Sequence, residues 1–408
     1  MKKLKNQKRI LIVTERWYPD TFGGSERLAF EQLHGLEEAG YRVDVFVATN
    51  LNALPLEEHS SAHTTLFRAP AAPSLPANQL ISINLLSRKT LAHLLTKNQY
   101  DAILCHHPQI GSVVVQFMEA TINMHTPILY FFHSSQAQEI RVDGPNRWYP
   151  GRMFWNEFVA QYVARKEETI LAAAAKIFYF SQFSGQVLNE LNPEAFEKAE
   201  LLHPGIETSL YDDIFEKRLQ RRDPDSSVLS LFTIRRLTKR MGIHGLIRVL
   251  TEKDHDNAMR LRIAGNGPLR TTLEELIRSG KKEAAIRLLG SISMKELREE
   301  FVRADAFVLP TIALEGFGIA TLEAMLSGVP VIATNAGATP ELLRDVEPRL
   351  IADGSSPETL YQTLLWFSQL SIEQQEAIGK RCRAIALKKY SRDGMNQAIV
   401  AAIKKLRR

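Results

Sequence analysis

The sequence predicts an α/β protein of two doubly wound, Rossmann-like domains, each built around a parallel sheet. Three observations lead to this fold class. Short, continuous apolar runs alternate with segments of helical periodicity, which is typical of strands buried on both faces of a parallel sheet. The same alternation starts again near residue 228, after a polar segment at 205–227 that lacks strong periodicity. The length of 408 residues also suits more than one domain.

The first domain is predicted to span residues 1–204. It opens with the strand "RILIV", a loop that contains Gly23 and Gly24, the helix "ERLAFEQLHGLEEAG" with its terminal glycine, and the strand "RVDVFVA". Apolar runs in "DAILCHH", "PILYFFHS" and "AKIFYFS" predict three further strands. A parallel sheet with helices on both faces follows from this alternation.

The second domain is predicted to span residues 228–385, after a linker at 205–227. Its strands are predicted in "VLSLFTI", "LRIAG", "IRLLGS", "AFVLPT" and "VPVIAT", with helical periodicity between them. The helical tail continues over 386–408 and is expected to pack back on the first domain. In doubly wound sheets, ligands bind beyond the carboxyl ends of the strands, so the loops after strands are where a site is expected.

The composition excludes several classes of protein. With 45% apolar and 24% charged residues, the chain is typical of soluble globular proteins. Its longest apolar runs fall short of the roughly 18–20 residues that span a bilayer, and the N-terminal "ILIV" is too short for a signal peptide. The two cysteines, Cys105 and Cys382, form neither a disulfide framework nor a metal-ligand pattern, which favours a cytoplasmic location.

The net charge of +5 is concentrated at the two ends of the chain, in "KKLKNQKR" and "KKLRR". No nucleic-acid motif accompanies these basic residues, so no nucleic-acid partner is expected. Solubility is the first interpretation of the charge. A weak peripheral contact with the inner face of the cell membrane, which is anionic, is the second.

Two acids in "LEGFGIATLEAML", Glu315 and Glu323, stand on either side of a glycine-containing turn. A helix is predicted to begin near Gly318, and its first backbone amides and positive dipole end favour an anion. Carboxylates accept hydrogen bonds from vicinal hydroxyls, so the pair suits a ligand with sugars on both sides of a diphosphate. The alternative is that Glu315 caps the helix and Glu323 lies in solvent.

The extended segment "EGFGIATLEAMLSGVPVIATNAGATPELL" resembles the signature of the retaining glycosyltransferases of family four, of the group 1 type. The resemblance spans nearly the whole chain and implies the GT-B fold, in which two domains face each other across a cleft. It implies that Glu315 contacts the hydroxyls of the transferred sugar and that Glu323 holds the nucleotide ribose. Around the turn, the amides of Gly316, Phe317, Gly318 and Ile319 would hold the sugar and the diphosphate of the donor.

A basic loop, "TIRRLTKRMGIHGL", follows the first strand of the second domain. A guanidinium suits bidentate contact with a diphosphate. The family pattern is Arg-Leu, three residues, Lys-Gly. Arg236 and Gly242 match this pattern, which implies that Arg236 neutralises the leaving diphosphate. Met241 stands where the pattern has lysine, and either Arg240 or Lys239 is expected to supply the second cation. A basic surface loop is the alternative interpretation.

Two glycine turns also resemble family loops. "AGNGPLRTTLE" follows a strand and is predicted to open a helix at Pro268; it resembles the Gly-Asn/Asp-Gly-Pro turn near the nucleotide, with Gly265 and Gly267 as donor-binding candidates. "FGGSERL" resembles the Gly-Gly-x-Glu loop of the first domain, and the amides of Gly23 and Gly24 are expected to touch the donor phosphate or the acceptor. A tight turn without a ligand is the alternative for each loop.

His133, at the end of the strand in "YFFHSS", stands where the family has a cleft histidine near the reacting sugar. Its imidazole is expected to hydrogen-bond a sugar hydroxyl or to polarise the acceptor. A structural role is the alternative. His106 and His107 are lesser candidates. Aromatic residues between 148 and 162 have the spacing of ordinary helix packing, with an acceptor-facing or lipid-facing groove as the alternative.

No Asp-x-Asp motif stands at a strand end, so no metal or other cofactor is expected. The predicted activity is metal-independent, retaining transfer of a hexosyl unit from a nucleotide-diphosphate sugar to a carbohydrate or lipid-linked acceptor hydroxyl. Bacterial-type polysaccharide, glycolipid or glycoconjugate synthesis is the expected setting. A catalytically silent GT-B subunit that binds a glycan or a partner protein is the alternative, favoured by Met241. A nicotinamide dehydrogenase lacks its G-x-G-x-x-G fingerprint.

Overall fold

The computed structural model describes most of the chain and divides it into two compact units. The first unit comprises Met1–Ala137, Phe158–Glu207 and Ser391–Arg408, and the second comprises Gln138–Glu157 and Thr208–Tyr390. Each unit contains a sheet of largely or wholly parallel strands, so the prediction of two parallel-sheet α/β domains is confirmed. The described residues are 8–21, 23–48, 54–69, 88–121, 125–144, 152–220 and 228–406.

The sheet of the first unit has the strand order β3-β4-β2-β1-β5-β6-β7-β8. The strands pair in parallel, except that β3 runs antiparallel to β4. The predicted strands are all present, whereas β3, β4 and β8 were not predicted. The strands are β1 (Arg9–Thr14), β2 (Arg42–Val47), β3 (Glu57–His59), β4 (Thr64–Arg68), β5 (Ala102–Cys105), β6 (Ile128–Phe132), β7 (Lys176–Tyr179) and β8 (Ala199–Leu201).

Helices connect these strands and cover the sheet. The central strands β5 and β6 are buried along their whole length, as their continuous apolar runs predict. In chain order up to residue 207, the α-helices of the described residues are α1 (Gly24–Glu38), α2 (88–97), α3 (Pro108–Ala120), α4 (Gln136–Asp143), α5 (Arg152–Ala173), α6 (Gln182–Leu191) and α7 (Pro193–Glu197). The part of α4 from Gln138 onward and the part of α5 before Phe158 belong to the second unit.

The last helix, α16 (Arg392–Leu406), packs against α1 within the first unit. Asn396 on α16 is 4% exposed, and its Nδ2 donates to the carbonyl oxygen of Glu31 at 3.1 Å. Gly35 lies directly opposite, and a Cβ atom there would overlap the Asn396 side-chain amide. Gly35 therefore permits the close approach of the two helices.

Replacing Gly35 with alanine is expected to lower the free energy of unfolding of the first unit by about 1–3 kcal/mol, the usual cost of overpacking. Alanine favours the helix intrinsically, so the expected loss comes from the clash with Asn396. Urea titration followed by hydrogen exchange in α1 and β1 measures it. The double variant Gly35→Ala/Asn396→Ala removes the obstructing amide and should regain part of the loss. A stabilised Gly35→Ala protein would contradict this packing.

The second unit holds a five-stranded, wholly parallel sheet with the order β11-β10-β9-β12-β13. Its core packs Phe232, Phe301 and Phe307 in edge-to-face and tilted contacts, with ring centroids 5.7–6.2 Å apart. The strands are β9 (Leu229–Ile234), β10 (Met259–Ala264), β11 (Ile286–Gly290), β12 (Ala306–Leu309) and β13 (Val331–Ala333).

The helices of the second unit alternate with these strands. One helix differs from its predicted start, since α10 begins at Arg270 while Pro268 and Leu269 form a preceding turn. The helical tail is interrupted at Tyr390 and Ser391. The remaining helices are α8 (Asp212–Gln220), α9 (Ile243–Lys253), α10 (Arg270–Ser279), α11 (Met294–Arg303), α12 (Ile319–Leu326), α13 (Thr339–Leu343), α14 (Pro357–Ser368) and α15 (Ile372–Lys389).

The segment predicted as a linker, 205–227, is helical over much of its length. A 3-10 helix at Thr208–Tyr211 leads directly into α8, and both belong to the second unit. Ile214 is 1% exposed, so one face of α8 is packed although the segment is mostly polar. Residues 221–227 of the predicted linker lie outside the described residues. Among the described residues, no helix combines the length and apolar character needed to cross a bilayer.

Candidate sugar-nucleotide site in the second unit

Four loops meet at the carboxyl ends of the adjacent strands β10, β9, β12 and β13. Glycines allow the backbones of these loops to come into contact. A Cβ atom on Gly265 would overlap the carbonyl oxygen of Arg235, and one on Gly242 would overlap that of Pro310. The positive φ angles of Gly242 (71°) and Gly265 (112°) also favour glycine. The predicted motif glycines therefore build one continuous surface of loop backbone at this edge of the sheet.

The backbone of Glu315 contacts the loop after β13 within this surface. Its carbonyl oxygen accepts from the amide of Ala338 at 2.9 Å, and a Cβ atom on Gly337 would overlap the same oxygen. The side chain is buried, with the residue 7% exposed. Its Oε1 atom lies 3.2 Å from where a Cβ atom on Gly318 would stand. The carboxylate is thus located beside the start of α12.

Gly318 is the N-cap residue of α12, with φ of 85°, and as a glycine it offers no capping side chain. The carboxylate of Glu315 accepts from Arg235 and Thr311 and not from an amide of the helix, so the alternative that Glu315 caps the helix is wrong. Phe317 packs its ring against Tyr390, 5.2 Å between centroids, so its amide and not its ring belongs to the loop surface. The first amides of a helix have no intrahelical acceptor, which makes this turn suitable for an anion.

Arg235 forms a buried ion pair with Glu315 that no local sequence pattern indicates. Its Nη2 atom donates to Glu315 Oε2 and to Thr311 Oγ1, the latter at 2.8 Å. Thr311 Oγ1 also donates to Glu315 Oε2 at 3.1 Å. The Sδ atom of Met241 lies 3.0 Å from the same Nη2. Arg235 is thus the cation nearest to Glu315 in the described structure of this loop cluster.

Glu323 lies on the first turns of α12 and is 9% exposed. The hydroxyl of Tyr211 donates to its Oε1 atom at 2.9 Å. The alternative that this carboxylate lies in solvent is therefore wrong. Tyr211 ends the 3-10 helix inside the predicted linker, and sequence reasoning missed it because its partner is more than a hundred positions away.

The three other basic residues of the β9 loop have different surroundings. Arg236 is exposed and is the second residue after β9. Arg240 is buried and paired, because its Nη2 lies 2.7 Å from Glu139 and its Nε 3.4 Å from Asp143. Its Nη1 also donates to the carbonyl oxygen of Leu314 at 3.2 Å, so Arg240 links α4 to the loop that carries Glu315. Lys239 is exposed.

The predicted residues of the first unit form a second cluster, at the carboxyl ends of β1, β5 and β6. His107 Nδ1 accepts from the amide of Glu15 at 3.2 Å, so its proton is on Nε2, which donates to Ser25 Oγ at 3.2 Å. Ser25 in turn donates to Glu26 at 2.9 Å. Gly23 precedes α1 and Gly24 begins it, and a Cβ atom on Gly23 would overlap the Glu26 carboxylate.

His133 is joined to this cluster through His106. His106 Nε2 lies 3.0 Å from Gln32 Oε1, which assigns the proton of His106 to that nitrogen. His106 Nδ1 then accepts from His133 Nε2 at 3.1 Å. This arrangement leaves Nδ1 as the acceptor nitrogen of His133. Burial lowers the pKa of His107 and of His133 to about 3, and lowers that of His106 well below its usual value, so all three rings are neutral near pH 7.

The buried histidines predict a pH dependence of stability. An unfolded chain binds protons at these rings below pH 6.5, whereas the folded chain does not until about pH 3. Acidification from pH 6.5 to 5 should therefore cost the first unit about 1.5 kcal/mol for each of His107 and His133. Glu15 opposes this trend, because burial raises its pKa to about 7 and acid favours its folded, protonated form.

The comparison of wild type with His107→Gln isolates the contribution of His107 to the pH dependence of stability. Between pH 6.5 and 5 the variant should lose about 1.5 kcal/mol less stability than the wild type. Native-state hydrogen exchange of the β1 and β5 amides, corrected for intrinsic rates, measures this difference. His93→Gln, at an exposed position, is the matched control. Equal slopes for His107→Gln and wild type would contradict the expectation.

The aromatic residues at the start of α5 do not pack as core residues, which corrects the first interpretation of their spacing. Phe154 is 85% exposed and Phe158 is 60% exposed. Positions 148 and 149 lie outside the described residues. Within the described ranges, no group of three or more His, Cys, Asp or Glu side chains is arranged to hold a metal ion.

Comparison with known proteins identifies the family in both halves of the chain. Residues 22–210 match the family described as Glycosyltransferase Family 4, and residues 215–384 match Glycosyl transferases group 1. One relative is the GDP-mannose-dependent alpha-(1-6)-phosphatidylinositol monomannoside mannosyltransferase of Mycobacterium tuberculosis, 28% identical over 188 residues. That match covers 44% of the chain and 48% of the relative, so the chain spans about half the length of this curated relative.

Solved structures share the fold over nearly the whole chain. Sucrose-phosphate synthase from Thermosynechococcus elongatus has a TM-score of 0.79 at 18% identity, covering 98% of this chain and 99% of that one. Anabaena HepE, solved in complex with UDP and glucose, has a TM-score of 0.69 at 18% identity, with 98% and 100% covered. Together with the two matched families, these similarities lead to one conclusion. The chain is a GT-B protein that belongs to the family-four glycosyltransferases, and its second unit carries their group 1 region.

Proposed function

We propose that the chain transfers a hexosyl unit, with retention of anomeric configuration, from a nucleotide-diphosphate sugar to an acceptor hydroxyl. One observation carries this proposal. The Glu315 carboxylate is fixed beside the amide end of α12, so acceptors for sugar hydroxyls and donors for phosphate oxygens lie next to each other. Relatives and structural neighbours named for GDP-mannose dependence or solved with UDP and glucose support a donor of this class.

The donor contacts follow from the chemistry of each group. The amides of Gly316, Phe317, Gly318 and Ile319 are proposed to bind diphosphate oxygens, with Glu315 accepting from the transferred sugar. Glu323 is proposed to accept from the ribose hydroxyls, as its position further along α12 allows. The backbone of the loop that carries Gly265 and Gly267 is proposed to border the nucleotide.

In the proposed reaction, the acceptor oxygen attacks the anomeric carbon on the same face as the departing diphosphate. The bond from the anomeric carbon to the diphosphate oxygen breaks, a new glycosidic bond forms, and the acceptor's proton passes to the departing oxygen. Arg236 and the α12 amides are proposed to meet the charge that develops on the diphosphate, without a metal ion. His133 is proposed to accept a hydrogen bond from a sugar hydroxyl at Nδ1, and the amides of Gly23 and Gly24 to contact the donor phosphate or the acceptor.

The acceptor is proposed to be a carbohydrate or a lipid-linked sugar, in polysaccharide, glycolipid or glycoconjugate synthesis. We place this activity in the cytoplasm. Nucleotide-sugar donors suit this compartment, and its reducing conditions suit the free thiols of Cys105 and Cys382. A weak contact with the inner face of the membrane would bring the enzyme to a lipid-linked acceptor. Arg240 was a candidate for the donor site, but its pairing with Glu139 and Asp143 favours a role in holding the Glu315 loop.

Replacing Arg236 with alanine is expected to weaken donor binding or turnover at least tenfold, because a charge-assisted contact contributes about 1.5–3 kcal/mol. Arg236 is exposed, so the fold should be unaffected. Calorimetric titration with the donor and steady-state kinetics measure the loss. Lys253→Ala, which removes an exposed cation at the end of α9, is the control and should change affinity less than about threefold. Unchanged kinetics in a folded Arg236→Ala protein would contradict its role.

A donor panel tests the proposed function as a whole. UDP-, GDP-, ADP- and dTDP-sugars are first screened by ligand-induced thermal stabilisation of the full chain. The stabilising donor is then incubated with oligosaccharide and lipid-linked acceptors, and the anomeric configuration of the product is read by NMR. A product that retains the donor's configuration supports the proposal, and an inverted product refutes the mechanism. Donor binding without transfer to any acceptor would favour the catalytically silent subunit.

A further inference from the structure

Arg235 is a buried cation inside the candidate donor site that none of the proposed donor contacts uses. It follows β9 directly and is 9% exposed. Among the described residues, every hydrogen bond of its side chain is made by Nη2, to Glu315, Thr311 and Met241. Its Nε atom is buried and has no hydrogen-bond partner among them.

The donor groups of Arg235 are incompletely used. A guanidinium carries five N–H groups, whereas Nη2 has only two hydrogens for its three neighbours. One of these neighbours, the Met241 sulfur at 3.0 Å, is a weak acceptor. A buried charged group with unpaired donors is costly, and an anionic ligand that accepts from Nε and the second terminal nitrogen would remove that cost.

The charges around the turn show what an anionic ligand needs in order to bind there. Glu315 lies beside Gly318, so its negative charge opposes an anion at the start of α12. Arg235 offsets this charge through the ion pair. Its guanidinium also touches Met241, the position where the family pattern has lysine, so a positive charge reaches that location from a different residue. Arg240 is already paired with Glu139 and Asp143.

We propose that Arg235 binds the diphosphate of the sugar donor and supplies the cation that Met241 cannot. Before donor binding, Arg235 and Glu315 neutralise each other. When the donor binds, the guanidinium turns to the phosphate oxygens, and Glu315 is released to accept from the hydroxyls of the transferred sugar. This inference rests on the proposed function, because it requires a nucleotide-diphosphate sugar at this site.

A double-mutant cycle separates direct binding from simple charge pairing. Dissociation constants are measured by calorimetry for UDP, GDP and ADP, and for the matching nucleosides, with wild type, Arg235→Met, Glu315→Gln and the double variant. Arg235→Met should weaken the best diphosphate at least about tenfold and its nucleoside less than about twofold. Glu315→Gln should strengthen diphosphate binding, because it releases Arg235. The double variant should bind as weakly as Arg235→Met.

Three results would overturn the inference. The first is a double variant that regains wild-type diphosphate affinity, since Arg235 would then be only the counter-ion of Glu315. The second is weaker diphosphate binding by Glu315→Gln. The third is an unchanged ratio of diphosphate to nucleoside affinity in Arg235→Met, or in Arg235→Ala if the methionine variant does not fold. Absence of diphosphate binding by the wild type would instead refute the proposed function, and the inference with it.

Discussion

Replacing Glu315 with alanine is expected to lower the free energy of unfolding of the second unit by about 3–5 kcal/mol, the usual cost of breaking a buried ion pair. Among the described residues, the alanine leaves the buried guanidinium of Arg235 with only Thr311 and Met241 as hydrogen-bond partners. Desolvation of that charge is then uncompensated. The expected loss is large because both partners are buried, with side chains 7% and 9% exposed.

Urea titration followed by hydrogen exchange in β9 and β12 measures this loss. Glu358→Ala is the matched control, because it breaks a half-exposed ion pair with Arg248 in the same unit and should cost less than about 1 kcal/mol. The double variant Glu315→Ala/Arg235→Met should be more stable than Glu315→Ala, since it also removes the stranded charge. A loss from Glu315→Ala as small as that of the control would show that the pair is not buried in solution.

Replacing Glu323 with alanine is expected to weaken the binding of the sugar donor at least tenfold, as the loss of a charge-assisted hydrogen bond of about 1.5–3 kcal/mol implies. The carboxylate is held on α12 and oriented by the Tyr211 hydroxyl at 2.9 Å. The ribose hydroxyls are its proposed donors. The effect should therefore appear equally with the nucleoside diphosphate, which retains the ribose but lacks the transferred sugar.

Calorimetry with the donor and with its nucleoside diphosphate measures both affinities. Tyr211→Phe is the control, since it removes the hydroxyl that orients Glu323 but keeps the carboxylate, and a loss of less than about threefold is expected. Glu323→Gln should lie between wild type and Glu323→Ala, because its amide oxygen is a weaker acceptor. If Glu323→Ala weakens the donor but not the nucleoside diphosphate, the carboxylate contacts the transferred sugar and the ribose assignment is wrong.

The sequence predicts the sheets well where strands are buried on both faces. The runs in β1, β5, β6 and β12 are continuous and apolar, and each became a strand. The antiparallel β3 was missed because Glu57–His59 is polar and exposed, and β-pairing at a sheet edge leaves no apolar signal. The tail contact between α16 and α1 depends on Gly35 and Asn396, which are ordinary helix residues when considered singly.

The candidate site was predicted in outline, and its ionic arrangement was not. Motif glycines and both acids could be found from local spacing, because a turn and a helix start have local signatures. Arg235 and Arg236 are neighbours in the loop after β9, and the first is buried whereas the second is exposed. Local sequence does not show which of the two faces Glu315, because that depends on a loop eighty residues away.

The central claim is that a diphosphate lies against the amides at the start of α12. Hydrogen–deuterium exchange of the full chain, with and without the best-binding nucleoside diphosphate and its nucleoside, tests this claim most directly. The claim predicts that the diphosphate slows exchange at the amides of residues 317–320, whereas the nucleoside at equal occupancy does not. Bound diphosphate that protects other segments and leaves these amides unchanged would contradict it.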